Sequence, residues 1–158
     1  MDLTIVFKIM FSTVLLLAAY SDARRFLIPN IYSLSLILLF FVALSFGFPF
    51  APPIWLLMLH FACALAIGML LFHFGWLGGG DVKLYAATAM WFPLQSGVLL
   101  LFVTTIAGAA IVLASTAFRM VAAAAGRAPV KKRLADRRIA YGVAIAAGGI
   151  LSIFWTYR

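Results

Sequence analysis

Residues 75–92 read GWLGGGDVKLYAATAMWF. Three glycines, Gly78, Gly79 and Gly80, run into Asp81, and an apolar stretch continues to Phe92 before Pro93 interrupts it. A helix over Asp81–Phe92 would have twelve residues, roughly 18 Å at about 1.5 Å per residue. The hydrocarbon core of a bilayer is about 30 Å thick. With Trp91 and Pro93 at one interface, such a helix leaves Asp81 below the other. The pattern predicts a carboxylate in a water-containing recess, beside backbone that the glycines keep open and able to turn sharply.

The composition supplies the membrane. The 158 residues are 66% hydrophobic and 10% charged, with a mean hydropathy of +1.16, beyond the range of a soluble domain. Apolar blocks and breakers predict an all-α bundle of six transmembrane helices forming a single domain over residues 1–158. The expected spans are Leu3 to Ser21, Asn30 to Phe46, Ile54 to Phe74, the short fourth helix Asp81 to Phe92, Val98 to Phe118, and Ile139 to Trp155. Pro29 excludes the residue before it from helix, and Asn30 is placed to cap the second span. The stretch STVLLLAAYSDA has the look of a signal peptide but no basic segment before it, so the reading is a retained first span.

Charge orients the bundle. With the N-terminus outside, Arg24, Arg25, Lys83, Arg119, Arg127, Lys131, Lys132, Arg133, Arg137 and Arg138 are cytosolic, and only Lys8 and Arg158 are outside. The net charge of +8 therefore reflects topology and attraction to anionic lipids, and nucleic acid is not an expected partner. Trp55, Trp76, Trp91 and Trp155 fall near span ends, as an interfacial belt requires.

The chain has no glutamate and four aspartates. Asp2 is terminal and Asp136 stands among arginines, which leaves Asp22 and Asp81 at the cytosolic ends of spans, on one side of the membrane. An ionisable group at membrane depth costs roughly 2.5–3.5 kcal/mol on insertion scales and is functional by default. Two carboxylates in close approach share one proton. One can then take a proton from water while the other polarises a scissile carbonyl, and the chemistry calls for no metal or cofactor. The single cysteine, Cys63, reads as a buried apolar residue, and His60 with Cys63 lacks a third metal ligand. His73 reads as an interfacial histidine. A structural alternative makes Asp81 only the N-cap of its helix. A functional alternative from another class is a small proton-coupled carrier with Asp22 and Asp81 as its relay.

Two segments together resemble one family. SDARRFLIPN, Ser21 to Asn30, resembles the first-aspartate motif of the type IV prepilin peptidases, with Pro29 and Asn30 in its Ile-Pro-Asn. GGGDVKLYAA resembles the GxGD motif of the same family, with Lys83 two residues after the aspartate. YGVAIAAGG, from Tyr141, is similar to the tyrosine-glycine stretch of the family's last helix, although Ala140 stands where many relatives have proline. The resemblance implies a membrane aspartyl protease with Asp22 and Asp81 as the catalytic pair. It also implies an active-site loop and substrate contacts from Gly78, Gly79, Gly80, Pro29, Asn30, Lys83, Tyr85, Tyr141 and Gly142. From the residues themselves, Lys83 snorkels to headgroups, and Tyr85 either lines the Asp81 face or packs. The implied partner is a membrane-inserted prepilin, cleaved after its short basic leader at the cytosolic face of the bacterial inner membrane. The short link between the first two spans and the lack of a cysteine pair are similar to the peptidase-only branch of tight-adherence (Flp) pilus systems.

Overall fold

The computed structural model describes residues 2–50, 52–124 and 141–158. The basic segment 125–140, with Asp136 and Ala140, lies outside the described residues. Among those described, the chain forms six helices: α1 (Leu3–Arg25), α2 (Asn30–Ser45), α3 (Ile54–His73), α4 (Gly79–Ala89), α5 (Leu94–Ala124) and α6 (Tyr141–Thr156). Leu3–Arg25, Ile54–His73 and Leu94–Phe118 are long and apolar enough to cross a membrane. The 16-residue α2 and α6 and the 11-residue α4 fall short of that length. Six helices match the expectation, but only three of them have the length of a full span.

Proline sets three of the starts. Pro29, Pro53 and Pro93 stand immediately before α2, α3 and α5, where a residue without an N–H removes no helical hydrogen bond and keeps the preceding residue out of the helix. Pro29 and Pro53 have φ of −58° and −54° with extended ψ. Asn30 does not cap α2, contrary to expectation. It is the first helical residue, Pro29 occupies the cap position, and no side chain bonds to the helix start. Ser12, Thr13, Ser45, Thr88 and Thr105 each donate to the carbonyl four residues back, whereas the buried hydroxyls of Ser33, Thr104, Ser152 and Thr156 have no partner among the described residues.

α4 lies at the centre, packed against α2, α3 and α6, while α6 also packs on α1 and α5. All of α4 from Ala86 to Ala89 is buried, together with Val82 and Leu84. The outer helices carry the lipid-facing surface, where Leu38, Val98 and Leu113 are 64%, 71% and 70% exposed. A helix wrapped by other helices need not match the bilayer, and this is why one of only 11 residues fits.

The end of the bundle away from Asp22 and Asp81 is closed by aromatics. Trp91 is fully buried and touches Phe11, Phe40, Phe48 and Phe50. Its Nε1–H donates to the Leu36 carbonyl, and the Tyr157 hydroxyl donates to the Trp91 carbonyl at 2.6 Å. Lys8, also buried, donates to the Tyr157 carbonyl just past the end of α6. Trp91 is thus no member of an interfacial belt, because a buried indole with a partner for its N–H serves as core. Trp55, Trp76 and Trp155 are more than 60% exposed.

Candidate active site

Asp22 lies in the last turn of α1, which continues four residues beyond the expected end at Ser21. The helix stops at Phe26, whose left-handed conformation (φ 51°) lets its N–H bond to the Asp22 carbonyl. The carboxylate of Asp22 is buried, with the residue only 4% exposed, and its Oδ2 accepts the Gly142 N–H at 2.7 Å. That N–H belongs to the first described turn of α6.

Asp81 stands in the first turn of α4, which begins at Gly79, two residues earlier than expected. The residue is half-buried, and its Oδ2 accepts the Gly78 N–H at 3.2 Å. The side chain therefore does reach back to its helix start, as a capping carboxylate does. The two carboxylates lie at the same end of the bundle, where Ile28 packs against both Gly80, next to Asp81, and Gly142, the partner of Asp22. Among the described residues neither has a second hydrogen-bond partner, so each keeps an oxygen for water or for the other acid.

Ile28 holds this geometry, and sequence reasoning passed over it. It is buried in the link between α1 and α2. A methyl group on Gly80 would lie 3.1 Å from Ile28 Cβ and 3.2 Å from its carbonyl oxygen. One on Gly142 would lie 2.9 Å from Ile28 Cδ1 and 2.9 Å from Asp22 Oδ2. Ile28 is thus clasped by the starts of α4 and α6, the helices that carry Asp81 and the Gly142 partner of Asp22. Its sequence signals are its place before Pro29, which forces extended backbone, and its position as the first residue of the Ile-Pro-Asn motif.

The sharp turn expected of the glycine run is corrected, while the close approach to another backbone is found at Gly80, where a Cβ would lie 3.2 Å from the Ile28 carbonyl oxygen. Gly78, Gly79 and Gly80 are not in left-handed conformations; the turn into the loop is made at Gly75, with φ 73°. A Cβ on Gly79 would meet only ordinary contact at 3.5 Å from Phe72. Gly80 is small because the α1–α2 link presses on it, and the space it frees is filled by protein.

The other candidates divide. Lys83 is exposed, and its Nζ donates to Asn30 Oδ1 at 3.2 Å. It thereby joins α4 to α2. Pro29 starts α2 beside the clasp. Tyr85 and Tyr141 line a cavity, together with Val82, which follows Asp81 in the chain. Arg24 stacks over the Tyr20 ring, 5.0 Å away. His60 places Nδ1 2.8 Å from the Phe92 carbonyl, and His73 lies edge-on to Phe74. Among the described residues no group of three or more His, Cys, Asp or Glu stands together.

The fold and site define a helical membrane protein whose bundle carries two carboxylates at one end, each accepting one backbone N–H. The chain belongs to the type IV leader peptidase family, whose model matches residues 9–113, about two thirds of its length, including both aspartate motifs. It is accordingly a membrane protein and a protease. No curated protein and no solved structure matches it.

Proposed function

We propose that the protein is an aspartic endopeptidase that removes the short basic leader of type IV, Flp-like prepilins, with Asp22 and Asp81 as its catalytic pair. The observation that supports this reading is that both carboxylates lie at one end of the bundle, each accepting one backbone N–H, with Ile28 packed between the helix starts that carry Asp81 and hold Asp22. Two acids so placed share one proton. The ionised member takes a proton from water as the oxygen attacks the scissile carbonyl, and the protonated member donates to the carbonyl oxygen. Collapse of the tetrahedral intermediate passes a proton to the departing amine and restores the pair.

The reading includes six membrane crossings, both termini outside, and the acid pair facing the cytosol of a bacterial inner membrane. The positive-inside distribution supports that orientation. Anionic headgroups are the partners of the basic segment. Purified protein incubated with a candidate prepilin should shorten it by the mass of the leader. Failure to cleave any pilin-like substrate, with proton-coupled solute uptake in liposomes, would replace the reading with a carrier.

A further inference from the structure

A cavity of about 350 Å³ lies between α3 and α5. These helices scarcely touch one another, although α3 packs closely on α4 and α5 on α6. The cavity therefore opens sideways, with Ile67 and Val98 on its rim, 60% and 71% exposed. Its floor is α4: Val82, adjacent to Asp81 in the chain, and Tyr85 one turn further. Tyr141, next to the Gly142 whose N–H holds Asp22, closes one side. From there the groove runs away from the acid pair to Leu94 and Gly97 at the start of α5.

We propose that this groove receives the apolar segment that follows the scissile bond of a membrane-inserted substrate. The proposal rests on the leader-peptidase reading. A peptide bond held between Asp22 and Asp81 has a polar leader on one side, which remains in water. The chain on the other side must continue into the membrane. A groove that starts one residue from Asp81, runs inward along α4 and is lined almost wholly by carbon matches that continuation in place, direction and chemistry. A lipid tail needs no connection to the carboxylates, whereas a substrate does. The cavity takes several side chains but not a whole helix, so the substrate helix lies across the mouth between α3 and α5 with one face inserted.

Cys63, the only cysteine in the chain, lines the groove on α3 and supplies the probe. The Asp81→Asn protein is reconstituted with prepilins carrying one cysteine, stepped through the roughly eleven residues that a helix needs to run the length of α4. Copper-phenanthroline oxidation should join the substrate to Cys63 at positions recurring every three or four residues, and at none with Cys63→Ala. In a second arm, Ala64→Phe and Ile67→Trp obstruct the groove. They should raise KM for the full prepilin about tenfold with little change in kcat. A soluble peptide ending a few residues past the bond should be cleaved as by the wild type. Cleavage of the cysteine-bearing prepilins by the wild type, with no cross-link at any position and no effect of filling, overturns the groove alone and leaves it to lipid. Equal loss on both substrates by the filled variants also overturns it. If the wild type cleaves no prepilin, the activity reading falls first and the groove proposal with it.

Discussion

The backbone N–H of Gly142 in α6 donates to Oδ2 of Asp22 in α1 across 2.7 Å, joining residues 120 apart in the chain. Glycine is required there because any Cβ would intrude on both Asp22 and Ile28. Gly142→Ala should lower leader cleavage about 10²-fold, the scale expected when a reacting group is displaced by an ångström. It should also cost about 1–3 kcal/mol of stability through overpacking. Initial rates and thermal midpoints in detergent check both; an unchanged rate would show that this contact does not position the acid.

Asp22→Asn and Asp81→Asn should each reduce cleavage on the order of 10³-fold or more, since neither amide can take part in the proton exchange. Both should still insert, because an amide oxygen can accept the Gly142 or Gly78 N–H as the carboxylate does. Asp2→Asn is the control: Asp2 is exposed and its side chain makes no cap hydrogen bond. Efficient processing by either site variant would remove that residue from the pair.

Neighbouring glycines should differ sharply. Gly79→Ala adds a methyl in ordinary contact with Phe72 and should keep activity, with a helix preference improved by about 0.5–1 kcal/mol. Gly80→Ala pushes against the Ile28 backbone and should lose activity, and Gly80→Val should lose more. Parallel assays of the three variants decide it, and equal tolerance at both positions would dissolve the clasp.

At the opposite end, Lys8→Met should separate stability from catalysis. It removes the donor to the Tyr157 carbonyl, leaving a buried acceptor unpaired, and should cost about 1–3 kcal/mol. Cleavage at moderate temperature should stay near the wild-type rate, because Lys8 lies at the far end of α1 from Asp22. A rate loss without a fall in thermal midpoint would contradict this.

Orientation is tested by Ala128→Cys in a Cys63→Ala background. With the proposed orientation position 128 is cytosolic, so it should resist an impermeant thiol reagent in intact cells and react after lysis. Labelling before lysis would invert the topology.

The amino-acid sequence by itself determined the membrane, the helix number and the two acids worth attention. Hydropathy, proline positions and scarcity of carboxylates are properties of composition and local order, legible without contacts. Pro29, Pro53 and Pro93 mark helix starts because proline acts on its own backbone and the residue before it. Only the tertiary structure decided how the acids are held and what the small residues are for. Gly142 reaches Asp22, Ile28 sits between Gly80 and Gly142, and Lys83 meets Asn30. The same holds for Trp91, whose place near a helix end signalled an interface but which packing made the centre of an aromatic plug. These relations join residues tens of positions apart, and their geometry depends on which helix faces packing brings together, which no local pattern encodes.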